Sequence, residues 1–177
     1  YVRSEEPGSL EEDWFFQALV ECYLPLLETL ENAARAKDQA PKITIGLSPT
    51  LLSLLEDHLL KNRFEKWVTI RLEVLNTLEK NCLKAVLHLK EHLKRQLHSW
   101  KKCQGDLIGR FKKLQTLDVI DILTCAATHG YLPLLRENPE AVRAQLRTAV
   151  REHQRLFVDA PLGIWLPECA YYEGLDE

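Results

Sequence analysis

The stretch Gly163-Ile164-Trp165-Leu166-Pro167-Glu168-Cys169-Ala170-Tyr171-Tyr172 sets one carboxylate, Glu168, among three aromatic rings. Flat rings offer apolar faces to the C–H faces of a pyranose, and a carboxylate can attack a sugar carbon or hydrogen-bond a sugar hydroxyl, so the pairing suits carbohydrate chemistry. A short apolar run bounded by Gly and Pro reads as a buried strand, and Pro167 ends the pairing because it has no N–H to donate. Glu168 then stands just past the C-terminal end of that strand, the rim where parallel α/β folds gather their active sites. A strand terminus with an incidental surface Glu fits the same residues, so spacing alone leaves both readings open.

The elements that must position these residues follow from periodicity. Residues 12–37 carry apolar side chains at helical spacing, with Asp13 as the expected N-cap and Pro25 expected to kink or split the helix. Residues 42–47 hold the β-branched run Ile43-Thr44-Ile45 and read as a strand. Ser48 caps the helix that Pro49 opens. Residues 61–100 stay helical without Pro or Gly, a long helical excursion spanning about 59–115 that includes a short helix at 106–115. Residues 119–125 form a near-continuous apolar run read as a buried strand, and Asn138 and Pro139 open a helix reaching Phe157. The last strand is 163–166. Strands alternating with helices in this order indicate an α/β fold, either a parallel barrel or a doubly wound sheet, and periodicity does not choose between them.

Several function classes drop out on composition. A net charge of −3 over 177 residues gives no electrostatic reason for a nucleic-acid or anionic-membrane partner. The basic stretch 90–102 has Leu at helical spacing and reads as the solvated face of an amphipathic helix. His88 and His92 have the i, i+4 spacing of a metal pair but no acidic third ligand, so no metal site is expected. Cys22, Cys82, Cys103, Cys125 and Cys169 are scattered without CxxC spacing, which argues against a disulfide framework or zinc and for a reducing, cytoplasmic setting. No apolar stretch of ~18 residues reads as a membrane span, and the acidic, polar start of the chain does not read as a signal peptide.

From Gly163 to Glu177 the chain closely resembles the nucleophile segment of family 57 glycoside hydrolases, above all their α-1,4-glucan branching enzymes, whose pattern is Trp-Leu-Pro-Glu-Cys-Ala/Gly-Tyr-Tyr followed by Gly-Leu. Three earlier stretches resemble the family in the same order. They are Leu10 to Phe16 leading into Glu21-Cys22-Tyr23-Leu24-Pro25-Leu26-Leu27, Thr44 to Leu52, and Ile122-Leu123-Thr124-Cys125-Ala126-Ala127-Thr128-His129-Gly130-Tyr131-Leu132-Pro133-Leu134-Leu135. Between about 64 and 105 only helical character is shared.

The resemblance implies an incomplete (β/α)7 barrel, with the three strands here as its second, third and fourth and the first and last strands missing. Such a barrel gathers Ser48, His129 and Glu168, each just after a strand, around one mouth. It further implies retaining cleavage of an α-1,4-glucan such as amylose or a glycogen-like polysaccharide, with Glu168 as nucleophile, no cofactor and no metal. His129 aligns with a histidine near the scissile sugar, although a His satisfying backbone groups before Gly130 fits as well. Trp14, Trp165 and Tyr171 are the implied stacking or lining rings, Ser48 a weaker contact, and Cys169 a small packing residue. The glycosyl-enzyme would be resolved by water or by the 6-hydroxyl of another glucan, and nothing in Glu168 decides which. An amylase or 4-α-glucanotransferase of the family, a non-catalytic glucan-binding module and a helical interaction protein are the alternatives.

Two departures from the family pattern bear on activity. The family's His-x-His motif precedes the Tyr-Val-Arg at which this sequence begins, and its acid/base aspartate lies beyond Glu177. Residues 1–177 are therefore expected to be an N-terminal fragment of one catalytic domain, inactive alone. Ser4-Glu5-Glu6, where the family tends to have His-Pro, and Glu173, where Pro is common, read as surface variation.

Overall fold

A computed structural model describes residues 2–35, 42–78, 83–157 and 159–176. The chain divides into two compact units, one of Tyr1–Arg35 with Leu54–Arg110 and one of Ala36–Ser53 with Phe111–Glu177.

The first unit is helical. Helix α1 (Leu10–Ala18) is capped by Ser9, whose hydroxyl accepts from the Glu12 N–H at 3.1 Å. The cap expected at Asp13 is thus displaced by four residues, because extended Ser9 already satisfies the first turn. Asp13 instead accepts from the Trp67 indole at 2.6 Å, from Gln17 at 2.8 Å and from Arg71. The expected break at Pro25 takes the form of a π-helical turn, Leu19–Tyr23, ahead of α2 (Leu24–Arg35). Proline lacks the donor for an i to i−4 bond, and the ladder slips by one residue to absorb the defect.

The long helical span is two helices of similar length, α4 (His58–Leu78) and α5 (Leu83–Lys102), which pack on each other. Phe64 and Phe16 are fully buried, their ring centroids 5.7 Å apart in an edge arrangement, and Trp100 lies 4.4 Å from Phe64. Each buried ring contributes roughly 1.5–3 kcal/mol. Gly105 has φ 70° and sits so close to Trp100 that a Cβ there would come within 2.7 Å of the indole. Glu12, 3% exposed, pairs with Arg63 at 2.7 Å, and the same guanidinium donates to the carbonyls of Ser4 and Glu5.

The second unit is α/β. Strands β1 (Ile43–Gly46), β2 (Ile120–Cys125) and β3 (Ile164–Trp165) form a parallel sheet in that order. Ile43 faces Ile120 across the first pair, and Cys125 faces Trp165 across the second. Helix α3 (Pro49–Glu56) follows β1, and α6 (Leu107–Thr116) precedes β2. After β2 come α7 (Leu132–Leu135) and α8 (Pro139–Phe157). The central strand is buried as expected, with Ile120, Ile122 and Thr124 each at most 2% exposed. The last strand is not. Ile164 and Trp165 are exposed, because β3 is an outer strand of the described sheet and pairs over only two residues.

Ala126, Leu132 and Val142 form a buried cluster on which Leu135, Leu146, Leu166, Tyr172 and Leu175 pack, joining the loops after β2 and β3 to α8. The loop after β2 is further tied down by hydrogen bonds. Gln145 accepts from Thr128 N–H and donates to its hydroxyl, both at 2.9 Å, and Thr50 donates to the Ala127 carbonyl at 3.0 Å.

Candidate active site

The candidate residues of the second unit sit on loops that leave the C-terminal ends of parallel strands. After β2 the chain turns sharply, closed by His129 N–H to Ala126 C=O at 2.9 Å, with His129 itself at φ 55°. After β3 a single 3₁₀ turn, Pro167–Cys169, is closed by Cys169 N–H to Leu166 C=O at 2.9 Å. Glu168 and Cys169 both have φ 56°. Three non-glycine residues thus hold left-handed backbone, a conformation that L side chains resist, and they cluster at the strand ends.

The two turns bring His129 and Glu168 together. Nε2 of the imidazole lies 3.3 Å from Oε1 of the carboxylate, and both side chains stay open to solvent at 47% and 70% exposure. On the other edge of the ring, Nδ1 faces the sulfur of Cys125 at 3.1 Å. Burial pushes the Cys125 thiol above its ordinary value, against a smaller opposing effect of the Ala126 amide. A carboxylate held beside an imidazole at an accessible strand end is equipped to attack an electrophilic carbon while the imidazole binds a neighbouring hydroxyl.

The remaining predicted residues fall into distinct places. Trp165 and Tyr171 expose about half their surface, and Tyr171 donates its hydroxyl to Asp176 at 2.6 Å. That bond holds the Tyr171 hydroxyl above its usual ionisation range. Tyr172 is half-buried, with the Arg136 guanidinium 5.5 Å above its ring. The Ser48 hydroxyl accepts from Leu51 N–H at 3.2 Å, the capping role that its place before Pro49 foretold. Trp14 belongs to the first unit, on α1, with its ring exposed. Cys169 is exposed and not a packing residue, since Pro167 takes the buried place in the turn and the left-handed backbone carries Cys169 outward.

Cys125 is the contact that sequence reading missed. Its signal was the spacing Cys125-x-x-x-His129 across the end of a buried strand. Among the described residues, no three His, Cys, Asp or Glu side chains gather closely enough to hold a metal ion, and no helix is long and apolar enough to cross a membrane.

Known proteins resemble this chain in sequence and fold. The sequence model of glycosyl hydrolase family 57 matches residues 1–177. A 1,4-α-glucan branching enzyme of Thermococcus kodakarensis is 38% identical over 176 residues, covering 97% of this chain and 26% of that protein. A crystal structure of a family 57 branching enzyme from the same archaeon, in complex with glucose and additives, has a TM-score of 0.89 at 37% identity, covering 97% of this chain and 31% of that one. The crystal structure of an α-amylase from Thermotoga maritima has a TM-score of 0.87 at 31% identity, covering 98% and 34%. The chain spans about a quarter to a third of the length of these relatives. With the family matched from first residue to last and the fold shared at more than 30% identity, the chain belongs to glycosyl hydrolase family 57.

Proposed function

We propose that this chain carries the nucleophile of a retaining α-glucan-active enzyme, most closely of the 1,4-α-glucan branching type, with Glu168 attacking the anomeric carbon. The observation that carries the reading is the 3.3 Å approach of His129 to Glu168 on left-handed turns at the ends of adjacent parallel strands. In the first step a Glu168 oxygen bonds to the anomeric carbon as the glycosidic C–O bond breaks, and a second carboxylic acid protonates the leaving oxygen. In the second step a 6-hydroxyl of another glucan displaces Glu168, losing its proton to that second carboxylate, and an α-1,6 branch results. The reading assigns the second carboxyl group, ~5–5.5 Å from the nucleophile, to a position outside residues 1–177, so this chain alone leaves glucan uncut. His129 binds glucose hydroxyls, and Trp165 and Tyr171 offer ring faces to the sugar.

The three strands serve in this reading as part of a (β/α)7 barrel, one catalytic domain in which residues 1–177 take part. Sheet curvature supports it. In a flat sheet, strands two places apart stand about 10 Å from each other. A Cβ built on Gly46 of β1 would lie only 3.8 Å from Trp165 Cβ on β3, so the sheet bends strongly around β2. The described cysteines Cys22, Cys103, Cys125 and Cys169 are free thiols, which fits a reducing, cytoplasmic setting.

The Thermotoga α-amylase likeness supports a second outcome for the same intermediate, attack by water and net hydrolysis. One assay separates the two. The polypeptide that joins this chain to the second carboxyl group is incubated with amylose, and α-1,6 branch points and new reducing ends are counted together. Branch points in excess of free ends establish branching, and the reverse establishes hydrolysis. Glu168→Gln lowers both by about a thousandfold or more while leaving glucan binding intact. Undiminished activity in that variant removes the nucleophile assignment.

A further inference from the structure

We propose that Cys125 is a positioning residue whose thiol donates to Nδ1 of His129, holding the imidazole as the Nε2–H tautomer that hydrogen-bonds Oε1 of Glu168. This deepens the proposed function and rests on Glu168 being the nucleophile.

The argument starts from the two neighbours of one ring. Nδ1 meets the Cys125 sulfur at 3.1 Å and Nε2 meets the Glu168 carboxylate at 3.3 Å. An ionised carboxylate only accepts, so the nitrogen that faces it must carry the proton. In neutral imidazole the other nitrogen is then a bare acceptor and needs a donor. The thiol supplies one. Cys125 is 4% exposed at the end of β2, and its burial keeps the sulfur protonated, so the contact is S–H to nitrogen. The opposite tautomer sets a bare Nε2 lone pair against the carboxylate oxygen and removes that hydrogen bond.

Local structure leaves the ring little choice of partner. Cys125 is fixed by its register with Trp165, and the turn closed by His129 N–H to Ala126 C=O folds the imidazole back over the strand end. The residue four places earlier therefore lies under Nδ1. A methyl group at position 125 removes the donor, whereas a serine hydroxyl restores one.

The test is a tautomer measurement joined to kinetics. The polypeptide carrying this chain is labelled with ¹⁵N-histidine, and two-bond ¹H–¹⁵N spectra are recorded, with His129 assigned by its loss in His129→Gln. Expected are an unprotonated Nδ1 and a protonated Nε2 in the native protein and in Cys125→Ser, and a mixture of both tautomers in Cys125→Ala. Turnover of amylose falls about three- to tenfold in Cys125→Ala, the rate equivalent of one ordinary hydrogen bond, with KM unchanged and recovery in Cys125→Ser. An Nδ1–H tautomer in the native protein overturns the proposal. So does a native tautomer in Cys125→Ala, whatever its rate. Should the alanine variant fail to fold, the native and serine spectra decide. Because the spectrum needs no catalysis, it stands apart from the nucleophile reading, which fails separately if Glu168→Gln keeps its activity.

Discussion

Glu168 holds left-handed backbone at φ 56°, ψ 21°, and that strain has a measurable size. A non-glycine residue in this region is disfavoured by about 1–2 kcal/mol because its Cβ crowds the following carbonyl. Replacing Glu168 with Gly or with Ala removes the carboxylate and its contact with His129 in both cases, so that loss cancels in the comparison. Gly escapes the crowding and Ala does not. Against this, Gly widens the unfolded ensemble and gives back about 0.5–1 kcal/mol relative to Ala. The balance leaves Glu168→Gly more stable than Glu168→Ala by about 0.5–1 kcal/mol, or roughly 1–4 °C in melting temperature for a protein of this size. Thermal unfolding of both variants under one set of conditions reads the difference. A control at exposed Arg147 within α8 reverses the order, with Gly below Ala by about 1 kcal/mol, since a helix interior prefers Ala. If alanine equals or exceeds glycine at position 168, the turn holds no such strain.

The helical unit offers a harsher perturbation. Arg63→Met leaves buried Glu12 without its ion-pair partner, with the Gly8 N–H still donating to it at 3.0 Å, and removes the donor to two carbonyls, so stability in urea falls by about 3–5 kcal/mol. Adding Glu12→Leu recovers part of that loss, and no recovery would show that an abandoned charge is not its main cause. On α8, burial holds His153 below its ordinary value of 6.5, and its Nδ1 lacks a hydrogen-bond partner. The unfolded chain protonates this ring below about pH 6.5 while the folded one keeps it neutral, so the unfolded state binds more protons and stability falls as pH drops through that window. His153→Leu removes the effect, and its melting temperature relative to the native protein rises from pH 7 to pH 5. A flat difference would refute the assignment.

What could be read from the residues follows from which signals are local. Pro25, Ser48-Pro49 and Asn138-Pro139 act within one turn, and each marks a boundary found in the structure, with Asn138 accepting from Ala141 N–H at 3.2 Å. The Ile-rich and apolar runs at 43–46 and 120–125 are strands for the same reason. Periodicity alone did not give the order of the sheet, which only the family resemblance implied, nor the exposure of β3, because both depend on pairing between segments far apart in the chain. Asp13 shows the limit on the polar side. Its type fits a cap, yet its partners Trp67 and Arg71 lie more than fifty residues away, and no window around residue 13 contains them. Left-handed backbone at His129, Glu168 and Cys169 was equally hidden, since none of these is the Gly that normally announces it.

The pairing register is what turns two distant motifs into one site. Cys125 and Trp165 stand opposite each other, so the loops after β2 and β3 depart from the same level of the sheet. His129 follows its strand end by four residues and Glu168 by three, and each loop contains one tight turn that reverses the chain toward the other. A slip of one residue in β3 would turn Trp165 and Leu166 each to the other face, strip Leu166 from the cluster of Ala126, Leu132 and Val142, and carry Glu168 about 3.3 Å along the strand. Nε2 and Oε1, now 3.3 Å apart, would then lose hydrogen-bond contact. Leu166 therefore does more than fill space. By burying one face of the segment it excludes the slipped register, and so the packing of an apolar residue sets the reach of the Glu168 carboxylate.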